Sequence, residues 1–324
     1  MALFRRMLAL GMLASVPLAG LGQRLAHADA GRALDFELAT EVLDESSVQV
    51  SNGVEVLASH WPSLIIARFT YRSILGPVKA SCTAALVGPN VALMAAHCVD
   101  PREREAQGVP IRAQLAVGDR RIPFVCQLHP AYAARPLKFS SPRGSDDFAL
   151  CLLDHQGMPP ARLQGMRFEV VDTDTELIQG TAVLMVGYGC DRVRIVDGRL
   201  DWTAADGKLR VGEGRIDLAT GALPGEAEYA TIRSVQAASP ALCPGDSGGP
   251  LFSGVDARHP DGHRRVRAVN SSILPDGQDL VSKVAATASP AFRAWAANWL
   301  REHAAHRPEL CGVNLRAGER QCRD

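Results

Sequence analysis

Residues 243–250 read Cys-Pro-Gly-Asp-Ser-Gly-Gly-Pro and place one serine, Ser247, among glycines. Glycine reaches backbone conformations that other residues avoid, so this stretch can form a tight turn with little bulk around the hydroxyl. Glycine, proline, aspartate and serine are equally the ordinary residues of surface turns. The stretch by itself therefore leaves two interpretations open, an exposed turn or a loop that presents a nucleophile.

A serine nucleophile needs a base that removes its proton and a third group that orients the base. Among the nine histidines, His97 stands out because it follows the apolar run LMAA and precedes a cysteine. Asp147 opens the alternating run DFALCLL, which is typical of a β-strand. Asp146 competes with Asp147 on position alone. These residues are the candidates for the base and its orienting carboxylate.

The segments AAHC (residues 95–98), DFAL (147–150) and GDSGGP (245–250) bring His, Asp and Ser in that order, with gaps of 50 and 100 residues. Together they resemble the three signature segments of the chymotrypsin-like, or trypsin-fold, serine proteases of the bacterial secreted type. Motif order separates this family from other folds that carry the same triad. The resemblance covers roughly residues 50–303. It implies an all-β fold of two antiparallel six-stranded β-barrels with a C-terminal helix.

The resemblance also implies a role for each residue of these segments. Ser247 would attack the substrate carbonyl, with His97 as its base and Asp147 as the residue that fixes the histidine tautomer. The backbone N–H groups of Gly245 and Ser247 would form the oxyanion hole. Asp147 is preferred to Asp146 because it directly precedes Phe-Ala-Leu. The expected reaction is hydrolysis of peptide bonds in protein or peptide substrates.

Four substrate-binding residues follow from the same resemblance. Ser271 aligns with the cleft wall, where the family's serine supports the triad aspartate. The usual Trp-Gly after it is replaced by Ser-Ile, and the bulk of Ile273 should narrow the pocket. Ala241 stands where trypsin-like members carry an acid, which argues against an Arg or Lys preference. Asp279 is either a relocated pocket carboxylate or a solvated turn residue.

The first 30 residues have the pattern of a signal peptide. Two arginines precede an apolar run over residues 7–21, and Ala28-Asp29-Ala30 offers small residues for cleavage. A membrane anchor is the alternative, but the run is shorter than the roughly 20 residues of a span. We expect cleavage near Ala30 and a secreted or periplasmic protein without a stable membrane span. Abundant alanine and arginine suggest a bacterial source.

Residues 31–49 are acidic, lack a strand-like alternation and are expected to be a propeptide. Trp61-Pro62 and the run from Val50 to Gly53 resemble the segment that follows the family's activation site. The resemblance implies a zymogen that is cleaved between Gln49 and Val50. The freed α-amino group of Val50 would then form an ion pair with Asp246. No Arg or Lys precedes the cleaved bond, so the sequence does not define the activating protease.

Eight cysteines in an exported chain predict up to four disulfides. Cys311 and Cys322 would close a loop within the tail, residues 304–324. The other pairs are implied by the resemblance, and the one at Cys243 departs from the family because the usual partner is missing. These pairs are Cys82–Cys98 beside the histidine, Cys126–Cys151 on neighbouring strands and Cys190–Cys243 beside the nucleophile.

About a dozen short runs rich in Val, Ile, Leu or Thr, bounded by Gly, Pro or Asn, predict antiparallel strands. They predict a first barrel at about 63–165 and a second barrel at about 168–288. Helical periodicity over residues 290–303, with Ser289 as the N-cap, predicts a helix whose apolar face packs on the β core. Residues 50–303 would thus form the protease domain.

Composition excludes several function classes. Lys plus Arg and Asp plus Glu both number 35, so net charge does not point to nucleic acid or an acidic membrane. No metal or organic cofactor is expected. The Asp-containing stretch at residues 197–206 lacks the regular ligand spacing of a calcium loop. The chain is expected to be a monomer.

Two function hypotheses remain. The leading one is a secreted serine endopeptidase that forms an acyl-enzyme and is made as a zymogen. The alternative is a latent or catalytically silent binding or regulatory protein on the same fold. A lipase-type hydrolase does not fit the motif order.

Overall fold

β-Strands are the main regular secondary structure of the described chain, as the turn-bounded runs of Val, Ile, Leu and Thr predict. The computed structural model describes residues 34–38, 51–73, 76–100, 112–117, 120–135, 146–154, 161–236 and 238–324. The predicted signal peptide and the bond between Gln49 and Val50 lie outside these ranges. Within them, every helix is too short or too polar to be a transmembrane span.

A closed first barrel contains all six strands that the sequence predicts there, together with one more. Its interior is apolar and excludes water, which drives the strands together. The strand order around the ring is β1-β3-β4-β5-β8-β7-β6. The strands are β1 (Leu34–Leu38), β3 (Leu64–Ser73), β4 (Gly76–Gly88), β5 (Val91–Met94), β6 (Arg112–Val117), β7 (Arg120–Leu128) and β8 (Ala149–Leu153).

Strand β1 corrects the expectation that residues 31–49 lack a strand. It pairs antiparallel with β3 and parallel with β6, so this barrel has seven strands rather than six. Its five residues, LDFEL, do alternate apolar and polar side chains, as a strand requires. The sequence-based expectation rests on the acidic composition of residues 31–49 as a whole, and an alternation of only five residues is easily missed in it.

The second barrel has the six strands expected of it, closed by pairing between β10 and β13. Two short strands extend its sheet, and an exposed hairpin, β11 and β12, follows β10. The barrel strands are β10 (Ala182–Gly187), β13 (Arg210–Leu218), β14 (Tyr229–Val235), β15 (Pro250–Ser253), β16 (Arg265–Asp276) and β17 (Asp279–Ala286). The additional strands are β2 (Val54–Glu55), β9 (Val170–Val171), β11 (Val193–Val196) and β12 (Arg199–Trp202).

The predicted C-terminal helix is confirmed over Pro290–Glu302. Its first turn is capped by Ser289, whose Oγ accepts the backbone N–H of Phe292 at 3.0 Å. The apolar face is buried, and the ring of Phe292 lies 4.8 Å from that of Phe148. The helix therefore braces the segment that carries Asp147. In chain order the helices are α1 (Ala96–Val99), α2 (Pro130–Ala133), α3 (Ala161–Gln164) and this helix, α4.

All four predicted disulfides are present. The Cys311–Cys322 bridge closes the tail, but the tail is more than an appended loop. Cys311 N–H donates to Val87 O on β4 at 2.8 Å, and Phe168 N–H, in the connection between the barrels, donates to Gln321 O at 2.8 Å. The tail thus fastens the first barrel to the interbarrel connection.

A buried ion pair joins the two barrels and the tail. Glu169, in the connection between the barrels, is fully buried and accepts two hydrogen bonds from Arg264, at 2.8 and 2.6 Å. Ser63, at the edge of the first barrel, donates to the same carboxylate, and Arg323 of the tail lies 3.3 Å from it. The Arg264 guanidinium stacks 4.1 Å above the ring of Trp61.

Replacing Glu169 by Gln should lower the free energy of unfolding by about 3–5 kcal/mol, because it leaves the buried guanidinium of Arg264 without its counter-charge. Urea unfolding in the Ser247→Ala background, which excludes self-digestion, measures this. Asp201→Asn is the control. It removes an exposed pair with Arg194 and should cost less than about 1 kcal/mol. Equal losses in both variants would contradict the structural role of Glu169.

Candidate active site

His97 and Asp147 are brought together at the edge of the first barrel. His97 lies in α1, directly after β5, and Asp147 lies just before β8. The Nδ1 of His97 is 2.7 Å from Oδ2 of Asp147, and the backbone N–H of His97 donates to Oδ1 at 2.9 Å. The side-chain contact orients the imidazole, and the backbone contact fixes the Asp147 carboxylate against α1. The Asp146 carboxylate instead binds Arg135 at 2.7 Å.

The carboxylate of Asp147 is completely buried and also receives support from the second barrel. Ser271, on β16, donates to Oδ2 at 2.5 Å, and in turn accepts a 2.7 Å hydrogen bond from the hydroxyl of Tyr229. Burial alone would raise the pKa of Asp147, but the nearby charge of His97 and the hydrogen bonds from His97 and Ser271 lower it. Asp147 therefore stays ionised.

Ser247 lies in the turn before β15, on the second barrel. Its Oγ donates to the backbone oxygen of Ser271 at 3.3 Å, so Ser271 contacts both Ser247 and Asp147. The backbone oxygen of Ser247 accepts the N–H of Thr83, on β4, at 2.8 Å. The nucleophile loop thus lies against the first barrel, on the side of the histidine.

Gly245 has a φ of +107°, a conformation that strongly favours glycine. A Cβ at this position would lie 2.8 Å from the Cα of Gly189. The N–H of Cys190 binds the oxygen of Pro244 at 3.0 Å. Because C=O and N–H point in opposite directions in a trans peptide, the N–H of Gly245 is turned away from Cys190.

Asp246 is buried between two glycines. Its carboxylate accepts the N–H groups of Gly189 at 2.8 Å and of Cys243 at 2.9 Å. A Cβ at Gly187 or Gly189 would lie within 2.5 Å of Oδ1 of Asp246, so the carboxylate occupies the space that these glycines leave. Burial raises the pKa of Asp246 to about 6, although the two hydrogen bonds oppose this shift.

The residues predicted to form the substrate pocket are only partly brought together. Ala241 is buried in an apolar cluster with Cys243 and Leu280, and Ile273 packs against that cluster. Asp279 is turned away, because alternation along β17 places it on the face opposite Leu280. Its carboxylate binds Arg233 at 3.2 Å near the tip of the β16–β17 hairpin. The structure does not place Asp279 at the pocket floor.

Two residues of this site were not identified from the sequence. Thr83 follows Cys82 in a predicted strand, and its hydroxyl donates to Gly245 O and accepts the N–H of Tyr188, both at 2.9 Å. Tyr229 opens a predicted strand, and no motif surrounds it. Only the position of Thr83 beside a disulfide cysteine could have drawn attention to it.

Residues 51–296 match the family model described as Trypsin. The chain belongs to the trypsin family. A search of solved structures matches a Glu endopeptidase in complex with MPD, with 16% sequence identity and a TM-score of 0.45. That match covers 78% of this chain and 99% of the other. A comparison with curated proteins gives no match.

The buried carboxyl group of Asp246 should make the free energy of unfolding depend on pH in this member of the trypsin family, as long as the chain is uncleaved. Its folded pKa of about 6 lies above the ordinary value of 3.8. The group therefore stabilises the fold most below pH 4, and that stabilisation is lost as the pH rises through 6. The loss amounts to about 3 kcal/mol.

Urea unfolding between pH 4 and pH 7 tests this in the uncleaved Ser247→Ala chain. The free energy of unfolding should fall by about 3 kcal/mol more across this range than in the same chain carrying Asp246→Asn. All other titrating groups are shared by the two proteins. Parallel pH curves would show that Asp246 keeps an ordinary pKa.

Proposed function

We propose that this chain is a secreted serine endopeptidase that hydrolyses peptide bonds through an acyl-enzyme. Membership of the trypsin family supports a serine protease. The observation that carries the proposal is the 2.7 Å contact between His97 Nδ1 and Asp147 Oδ2, which leaves Nε2 as the histidine's proton acceptor. Ser271, in contact with both Asp147 and Ser247, connects this pair to the nucleophile.

In the proposed reaction, Ser247 Oγ attacks the substrate carbonyl carbon while His97 Nε2 takes the hydroxyl proton. The C–N bond then breaks, and His97 gives this proton to the leaving amine. Water then attacks the remaining ester while His97 takes a proton from it. The bond between the acyl carbon and Ser247 Oγ breaks, His97 returns the proton to Oγ, and the acid product leaves. Asp147 stays ionised and stabilises the imidazolium, in keeping with its lowered pKa.

Negative charge develops on the substrate oxygen in both steps. The backbone N–H groups of Gly245 and Ser247 are the proposed donors to that oxygen. The orientation of the peptide before Gly245 supports this role, because Cys190 holds the oxygen of Pro244 on the other side. One such donor contributes about 2.7–4 kcal/mol to lowering the barrier.

The proposed pocket for the residue before the cleaved bond is small and apolar. Ala241 and Leu280 are buried, and Ile273 packs beside them. A charged side chain would find no counter-charge in this cluster and would lose its hydration there. We therefore propose that peptides with alanine or valine at this position are the substrates to assay first.

Export and activation complete the proposal. Ser51, one residue after Val50, is buried, and its oxygen accepts the N–H of Ala241 at 3.2 Å. Cleavage after Gln49, by a protease still to be identified, would release an α-amino group beside the loop that holds Asp246. This ammonium would add a second positive charge to that of Arg210, whose attraction already acts to lower the pKa of the buried carboxylate.

Labelling with a fluorophosphonate separates the enzyme from a catalytically silent binding protein. We expect the processed protein to be labelled at Ser247, with labelling abolished by Ser247→Ala and retained by the control Ser253→Ala. A processed protein that remains unlabelled would instead support the binding or regulatory alternative.

Asp147→Asn should lower kcat by about 10⁴-fold, because the asparagine favours the wrong imidazole tautomer while preserving shape. Asp146→Asn is the matched control, since its carboxylate binds Arg135 rather than His97. Steady-state kinetics on an Ala- or Val-containing peptide measures both. A larger loss of kcat in Asp146→Asn than in Asp147→Asn would show that Asp146 is the residue that orients His97.

N-terminal sequencing of the active protein should read Val-Ser-Asn-Gly, beginning at Val50. Processing and activity should appear together, because the freed amino group neutralises Asp246. An active protein that begins at Gly31 would contradict the zymogen proposal. Mass spectrometry of the same sample identifies the leader fragment.

A further inference from the structure

Thr83 connects the two barrels at the nucleophile loop. It is fully buried on β4, a strand of the first barrel, and its hydroxyl and backbone N–H both bind groups of the second barrel. The hydroxyl donates to the oxygen of Gly245 and accepts the N–H of Tyr188, both at 2.9 Å. The backbone N–H donates to the oxygen of Ser247 at 2.8 Å.

These contacts act on the peptide groups that flank Gly245. Cys190 holds the oxygen of Pro244 on one side, and the Thr83 hydroxyl holds the oxygen of Gly245 on the other. Glycine rotates freely about its backbone dihedrals when nothing restrains it. Two fixed peptide planes therefore keep the φ of Gly245 at +107° and direct its N–H.

We infer that Thr83 is a positioning residue that holds the oxyanion loop in its working conformation. The inference rests on the proposed function for its effect on catalysis. The hydrogen bonds of Thr83 reach backbone groups of the loop rather than the Ser247 hydroxyl, so it acts through the carbonyl of Gly245. One hydroxyl uses both its donor and an acceptor site here, so an apolar replacement loses two hydrogen bonds at once.

Space at this position permits a selective test. The methyl carbon of Thr83 lies beside Gly249, where a Cβ would be 3.1 Å away, so the strand and the loop already pack closely. Thr83→Val keeps the shape and removes the hydroxyl. Thr83→Ser keeps the hydroxyl and removes the methyl group. Their comparison separates the hydrogen bonds from the packing.

The control is Thr287→Val. Thr287 is another fully buried threonine, whose hydroxyl donates to the oxygen of Asp172 at 2.7 Å, away from the nucleophile loop. The Thr287→Val substitution should lower the melting temperature about as much as Thr83→Val does, but it should leave kcat unchanged. A loss of kcat in Thr83→Val that is absent in Thr287→Val therefore comes from the nucleophile loop and not from a general loss of stability.

Processed proteins are compared by steady-state kinetics and by inhibition with a peptide boronate, which forms a tetrahedral adduct with a serine. Thr83→Val should lower kcat by about 10- to 100-fold, a loss approaching that of an oxyanion donor. Boronate affinity should fall in parallel while KM stays within about twofold. Thr83→Ser should retain kcat within about threefold. If Thr83→Val fails to fold, Thr83→Ala takes its place.

Hydrogen exchange over residues 243–249 gives a readout that does not depend on activity. Exchange should be faster in Thr83→Val than in Thr287→Val, because the loop loses its restraint. Equal kcat or equal loop exchange in these two variants would overturn the inference. Failure of the wild-type protein to react with fluorophosphonate would instead overturn the proposed function, which distinguishes the two failures.

Discussion

The buried charge of Asp147 is the constraint on which the arrangement of the site depends. A carboxylate removed from water is stable only with well-placed partners. Here His97 comes from the first barrel and Ser271 from the second, at 2.7 and 2.5 Å from the same oxygen. The hydrogen bonds of this one side chain therefore require the barrels to meet in one alignment. Away from the site, the buried ion pair of Glu169 and Arg264 also requires this alignment of the two barrels.

The nucleophile loop and the segment beside it contain several glycines, and the loop is held by hydrogen bonds from neighbouring segments. Gly187 and Gly189 leave room for the carboxylate of Asp246, and Gly245 adopts a backbone conformation closed to bulkier residues. Such a loop would be mobile if glycine alone determined its behaviour. Hydrogen bonds from Cys190 and Thr83 to the peptide groups on either side of Gly245 oppose that freedom.

Sequence reasoning succeeds where the information is local. The motifs around His97, Asp147 and Ser247 are short patterns that indicate the family, and the terminal helix follows from its periodicity. Three of the four cysteine pairs come instead from the resemblance to the family, because their members lie 16, 25 and 53 residues apart. Sequence reasoning fails where the outcome depends on which distant segments meet. The hydrogen bond between Tyr229 and Ser271 joins two strands that no motif relates. The sequence leaves Asp279 either in the pocket or in a turn, because its face depends on the residue at which the β16–β17 hairpin turns, and in the structure its carboxylate binds Arg233.

The docking of the tail has a consequence for the order in which the molecule can be completed. Cys311 pairs with Val87 and Gln321 with Phe168, although well over a hundred residues separate each pair along the chain. During synthesis these partners emerge only after the strands of both barrels. A truncated chain that ends before Cys311 contains the whole triad but lacks the segment that seals the first barrel. Synthesis as far as Cys322 is thus needed before these contacts between the first barrel and the interbarrel connection can form.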